Sequence, residues 1–183
     1  MTGRTGKMVR EAVAAGGNIS LDRRRPQMMY RGGNFSLQRA AVFKLGSSVD
    51  WLNATANDKL TIAQMVGYRH LLDVPGYGGT TWGALAWKFA SGSLVFRISS
   101  AYEDWWHRML VPWSHFIPVD FGGGEGEPVV TYDLEAKHQW ALSHPAKSAE
   151  IAQRGAQLAK AATTPRAQMH CAVAIMASLR HSG

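Results

Sequence analysis

The sequence predicts an α/β domain, a Rossmann-like doubly wound parallel sheet with C-terminal helices, on three observations. Strand-like and helix-like segments alternate from Gln27 onward. One predicted strand, "SLVFRI", is a continuous apolar run of the kind a parallel sheet buries on both faces. After Asp133 the pattern turns wholly helical. At 183 residues, with 46% apolar and 18% charged residues, the chain has the size and composition of one globular domain.

Residues 1–26 are expected to be a basic flexible tail, because Arg4, Lys7, Arg10, Arg23, Arg24 and Arg25 face only Glu11 and Asp22 there. The folded domain is then 27–183. It begins with a short strand from Gln27 to Tyr30, a loop from Arg31 to Phe35, and a helix capped by Ser36 and stopped by Gly46. "VDWLNA" fits another short strand, and "NDKLTIAQMVG" is ambiguous.

"YRHLLDV" is strand-like, and Pro75 and the glycines after it break the strand. Trp82, Leu85, Ala86 and Phe89 then recur at i, i+3, i+4 and i+7, one apolar helix stripe. Gly92 suits the end of that helix, and "SLVFRI" completes a βαβ unit. "SSAYEDWWHRMLV" predicts a further helix, with Ser99 or Ser100 as N-cap, Glu103 and Asp104 in the first turn and Pro112 beyond its end. "HFIPV" predicts a last strand, and "DFGGGEGEP" a loop. Three amphipathic helices follow, the second with Ile151, Gly155, Leu158 and Ala162 on one face and the third with Met169, Val173 and Met176.

The net charge of +7 attracts anions in general, whether phosphates, nucleotides, nucleic acid or an anionic membrane face. No run of eighteen or more apolar residues offers a membrane span, and the first twenty residues lack the apolar core of a signal peptide. Cys171 is the only cysteine, which excludes an internal disulfide and a CxxC metal site, and it reads as a small buried helix residue. The seven histidines show no metal-ligand spacing, so no metal is expected.

In an open parallel sheet a ligand lies beyond the carboxyl ends of the strands. Three loops qualify: "RGGNFS", "PGYGGTT" and "RISSAYED". Gly76, Gly78 and Gly79 would let backbone approach a phosphate, with Thr80 and Thr81 donating hydroxyls. The stretch fits neither GxGxxG nor a Walker motif, and by itself it suits a tight turn with an N-cap equally well. Arg31 and Arg39 could bring two guanidinium groups to one anion, although two solvated arginines are the commoner outcome for such a pair. His115 follows three tryptophans on an apolar stretch with no carboxylate spaced to orient it, which favours packing.

Taken in order, "MMYRGGNFSLQRAAVFKL", "YRHLLDVPGYGGTTWGALAWKFASGSLVFRISSAYEDWWHRMLVPWSHFIPV" and "YDLEAKHQWALSHPAKSAEIAQRGAQLAK" resemble the successive signatures of glycosyltransferase family ninety. That family comprises the capsule-associated xylosyltransferases, the protein O-glucosyltransferases and plant relatives. The resemblance implies the C-terminal, donor-binding half of a GT-B enzyme that moves glucose or xylose from a UDP-sugar to a hydroxyl of a protein or glycan acceptor, without an obligatory metal or other cofactor. It implies work in the secretory pathway, in the ER or Golgi lumen, and no specific nucleic-acid partner.

Carried over by position, Arg31, Gly32 and Arg39 hold the diphosphate, and Gly76, Tyr77 and Thr80 form the turn that the phosphates and nucleoside approach. Asp104 stands where relatives carry Glu and faces ribose or sugar hydroxyls, with Ser99 and Ser100 behind it. His115 matches the family's "PW-H" position, as a donor contact or as a packing residue. Trp82 stands where the animal glucosyltransferases carry Arg, which favours likeness to plant and fungal members and leaves the donor sugar open.

The family's acceptor-binding half and catalytic Asp precede the "RG" signature, where this chain has thirty residues. The resemblance therefore predicts a partial chain whose catalytic base is unassigned. The alternative is a non-catalytic nucleotide-sugar-binding or interaction protein of the same family. A nucleic-acid binder, suggested only by the charge and the arginine-rich start, ranks below both.

Overall fold

The computed structural model describes residues 3–76, 83–100, 103–120 and 133–170. Five strands, β1 (Arg25–Arg31), β2 (Leu52–Thr55), β3 (Tyr68–Asp73), β4 (Leu94–Ile98) and β5 (Ile117–Val119), form one sheet in the order β2-β1-β3-β4-β5. Every pairing is parallel. Pro26, which cannot donate to a ladder, sits where the β1–β3 register shifts between Arg25 and Met28.

The helices are α1 (Arg4–Gly16), α2 (Leu37–Gly46), α3 (Ile62–Met65), α4 (Ala84–Ala90), α5 (Leu134–Ser143) and α6 (Pro145–Ala162). They cover both faces of the sheet. Val9, Ala12, Val66, Leu85 and Phe89 build one core with Met29, Leu71 and Val95. Val42, Leu134 and Ala141 build the other with Met28, Leu72 and Phe96. Successive strand residues thus serve opposite cores, as the period of two requires. Helix α6 joins both cores, through Ile151 and Ala152 on one side and Ala159 and Ala162 on the other. Gly155 permits this close approach, since a Cβ there would lie 2.5 Å from the His115 carbonyl.

Local signals explain most of these elements. The Ser36 hydroxyl accepts from the Arg39 N–H to start α2. The ambiguous segment becomes α3 because Thr61 and Gln64 form a capping box. Gly92, at φ 77°, takes the left-handed conformation that ends α4. The third C-terminal helix is helical over 165–170, and the remainder of it, with Cys171, lies outside the described residues.

Two expectations are corrected. The flexible tail is instead α1, packed through buried Val9 and Ala12, followed by a 3₁₀ turn at Leu21–Arg23. Its basic residues conceal a helix stripe of small and apolar side chains. The expected helix over 99–111 is reduced to a 3₁₀ turn at His107–Met109. The Asp104 N–H bonds to His107 Nδ1 at 3.1 Å instead of reaching back to a carbonyl four residues earlier. The bonds from His107, Met109 and Leu110 all run to the third residue back.

Arg24, assigned to the tail by charge, is buried. Its guanidinium bonds to the carbonyls of Gly16, Ile19, Val66 and Ser91 and to the Ser93 hydroxyl. Burial lowers its pKa to about 10, so it stays charged at neutral pH. Replacing Arg24 by Met should therefore destabilise the fold by about 3 kcal/mol or more, read by urea denaturation, because several buried acceptors lose their donor together. A loss under about 1 kcal/mol would show that the site relaxes without it.

His70 and His138 are both buried, with their Nδ1 atoms 2.8 Å apart, so one ring donates to the other. Trp51 stacks on His138 at 5.0 Å. Burial lowers both pKa values, that of His138 to about 4, and each ring is neutral at pH 7. Unfolded histidines titrate near 6.5. As pH falls from about 6.5 to about 4 the unfolded chain gains protons that the folded chain refuses, so stability is full above that window and declines through it. Urea melts at pH 7 and pH 4 should differ by about 3 kcal/mol on account of His138. A His70→Phe/His138→Phe variant should lose most of that dependence.

Candidate functional site

The sheet order reverses direction between β1 and β3, since β2 lies on one side of β1 and β3 on the other. At such a switch point the loops leaving the two strands diverge and open a crevice. Arg39, one turn into α2, spans it. Its Nε donates to the Pro75 carbonyl at 3.0 Å, one Nη to Gly33 at 3.0 Å and the other to Val74 at 3.3 Å. The loop after β1 is thereby tied to the loop after β3. A guanidinium carries five N–H donors, so among the described residues two of Arg39's remain after these three bonds.

The crevice holds about 210 Å³ and is lined by Tyr30, Arg31, Arg39, Val74 and Lys88 among others. Tyr30 is buried and its hydroxyl has no hydrogen-bond partner among the described residues. Burial raises the phenol to about 12, so it keeps its proton at neutral pH. Gly32 lies directly above, where a Cβ would come 2.5 Å from the Tyr30 hydroxyl and 3.6 Å from an Arg39 nitrogen. Only glycine lets the loop lie that close. Lys88 of α4 donates to Asp73 at 2.7 Å and to the Leu72 carbonyl at 3.0 Å, an ion pair buried at the end of β3.

Arg31 borders the same crevice, but its guanidinium turns toward β2. It donates to the Asn53 carbonyl and side chain, both at 2.8 Å, and lies 3.6 Å from Asp58. Arg31 and Arg39 are thus neighbours with separate protein partners. Gly76 begins the glycine turn beside Pro75. Tyr77, Gly78, Gly79, Thr80, Thr81 and Trp82 lie outside the described residues.

A second cleft, of about 440 Å³, opens beyond the carboxyl ends of β4 and β5, with Arg97, Ser99, Glu103 and His107 in its wall. Arg97 reaches Glu103 at 3.4 Å and His107 Nδ1 at 3.3 Å. Since Nδ1 also takes the Asp104 N–H, it is the acceptor nitrogen, and the proton resides on Nε2 near the Asp104 carboxylate at 3.6 Å. Burial and the adjacent Arg97 lower the His107 pKa, which keeps the ring neutral. Asp104 itself borders another hollow, with Thr5 and Trp106. Ser99 lies in the cleft wall, and Ser100 follows it.

His115 accepts the Val111 N–H at its Nδ1, 2.9 Å away, and so closes the loop between Val111 and Phe116. Burial and Arg154 lower its pKa. The fold therefore brings Arg31, Gly32 and Arg39 to one crevice, with Val74 and Pro75 held there by Arg39, and sets Asp104, Ser99 and His115 elsewhere.

Sequence reasoning missed Tyr30, Asp73, Lys88, Arg97 and His107. Lys88 did carry a signal, as the one charge in "ALAWKFA". Asp73 and Arg97 close apolar strand runs, the position from which side chains reach a ligand crevice.

The sequence profile described as Glycosyl transferase family 90 matches residues 9–166. The chain is 26% identical over 137 residues to the "O-glucosyltransferase rumi homolog" of Aedes aegypti, which covers 75% of this chain and 31% of that protein. It is 26% identical over 113 residues to the "O-glucosyltransferase rumi" of Drosophila melanogaster, covering 60% of this chain and 25% of the relative. The match to the Anopheles gambiae "O-glucosyltransferase rumi homolog" is 25% identical over 148 residues, 71% of this chain and 35% of that protein. The chain thus spans about a third or less of the length of these relatives. With the profile matched across most of its residues, the chain belongs to glycosyl transferase family 90.

Proposed function

We propose that this chain binds a UDP-sugar in the β1/β3 crevice and acts as the donor domain of a GT-B glycosyltransferase that transfers the sugar to a hydroxyl of a protein or glycan acceptor. The observation that carries this reading is Arg39: it already bridges the loops after β1 and β3, and among the described residues it keeps two N–H donors spare beside a Tyr30 hydroxyl that has no partner there. Guanidinium and phenol donors together suit phosphate oxygens. Glucose is the first donor sugar to test, because the relatives are named O-glucosyltransferases, and xylose is the second.

In the transfer, the acceptor oxygen bonds to the anomeric carbon as the bond from that carbon to the UDP oxygen breaks. UDP leaves with the electron pair, and a base takes the acceptor proton. Arg39 and the backbone N–H groups of the loops would hold the leaving diphosphate where its charge develops. Asp73 is tied to Lys88 and is not the base on this reading. The same reading sets the protein in the lumen of the secretory pathway. Among the described residues, no helix is long and apolar enough to cross a membrane.

Calorimetric titration with UDP, UDP-glucose and UDP-xylose checks the proposal. UDP should bind, and Arg39→Ala should weaken it at least tenfold, through loss of charged hydrogen bonds of about 1.5–3 kcal/mol. Tyr30→Phe should weaken UDP about fivefold without lowering the melting temperature, since the hydroxyl it removes has no partner among the described residues. A folded chain that ignores UDP would overturn the reading, whereas UDP binding without sugar transfer or hydrolysis would favour a non-catalytic nucleotide-sugar-binding protein.

A further inference from the structure

Trp113 has a positive φ of 62°. Among the described residues it is the only non-glycine with that conformation, which is a genuine outlier for a bulky aromatic. The surrounding loop enforces it. The Trp113 N–H bonds to the Phe116 carbonyl at 2.8 Å, the Ser114 and His115 N–H groups both bond to Val111, and the His115 ring takes the Val111 N–H. Backbone strain of this kind persists only where the surroundings over-determine it. Here the result is not burial, because the Trp113 ring remains 42% exposed.

The ring belongs to an ordered group. Asp133, Lys137, Trp140 and His144 are spaced to share one face of α5. Trp113 meets Trp140 edge to face at 5.1 Å, and Trp140 stacks on His144 at 4.7 Å. Lys137 lies 6.0 Å from the centre of the Trp113 ring and pairs with both Asp133 and Asp120. Asp120 is also in the wall of the cleft beyond β4 and β5, as is Pro112, which precedes Trp113. The aromatic group is therefore continuous with that cleft.

We infer that Trp113 and Trp140, with Lys137 and Asp120, form a platform that binds a neutral carbohydrate chain. The apolar C–H face of a pyranose stacks on an indole, and its hydroxyls need donors and acceptors at the ring's edge, which the ammonium and the carboxylates provide. Local charge selects against other ligands. The two carboxylates already neutralise Lys137, so nothing here favours a phosphate or a nucleic-acid backbone. The glycosyltransferase assignment guides only the choice of probes, and the platform does not require a nucleotide in the β1/β3 crevice.

The whole chain, labelled with 5-fluorotryptophan and free of UDP, is titrated with cellotetraose and xylotetraose and followed by fluorine NMR. The Trp113 and Trp140 resonances, assigned by single substitution, should shift and saturate, and Trp140→Ala should weaken the effect at least tenfold. Trp113→Gly should do the same with no loss of folding, because glycine relieves the positive φ. No saturable shift with either sugar, or an undiminished shift of Trp140 in Trp113→Gly, would overturn the proposal. A shift that follows protein concentration without sugar would also overturn it, by assigning the face to self-association. Because UDP is absent throughout, failure of donor binding leaves this result unaffected.

Discussion

Arg24 lies where three helices end. Gly16 closes α1, and Val66 and Ser91 are the C-caps of α3 and α4, and the carbonyls of all three point at one guanidinium. The negative ends of the helix dipoles take the place of a counter-ion, since none of its hydrogen-bond partners is a carboxylate. The lower edge of the sheet is organised around this contact. The helices α1, α3 and α4, which cover one face, are anchored at the ends remote from the crevice. Gly16 has to be small there, because a Cβ would meet the Ser91 carbonyl at 2.4 Å.

Arg39 repeats the chemistry at the opposite end of the strands. It also gathers backbone carbonyls from separate segments, but it is part-buried and keeps donors to spare. Two arginines with the same kind of partner thus take different roles according to saturation and access. Arg24 has every donor engaged inside the protein, and Arg39, among the described residues, has some left at the mouth of a crevice. Between them the Lys88–Asp73 pair fixes α4 to the end of β3. A buried pair of this kind contributes little net stability, but it ties the end of β3 to α4.

The segment after β4 shows tertiary contacts overriding propensity. His107 turns its ring back to the Asp104 N–H while Arg97 approaches the same nitrogen, and Trp106 packs edge-on against Phe89. These contacts convert a helix-like sequence into a 3₁₀ turn and open the cleft beyond β4 and β5. The tight loop from Val111 to Phe116 then sets the strained Trp113 beside α5. His115 serves this loop, a structural role that does not depend on a ligand.

The parallel sheet is legible in the chain itself, because "SLVFRI" is an apolar run and "YRHLLDV" and "QMMY" are strand-like segments, and so are the start of α2 at Ser36 and the end of α4 at Gly92. The loop after β1 is legible in the same way, since glycines and arginines after a strand are local signals. That Arg24 is a buried hub, that Tyr30 lies under Gly32 without a partner among the described residues, and that Trp113 stands on a face of α5 comes from tertiary packing. The reason is physical. Charge and composition describe a residue's chemistry, whereas burial and hydrogen-bond partners come from segments distant in the chain, as with Arg24 and Ser93 or His70 and His138.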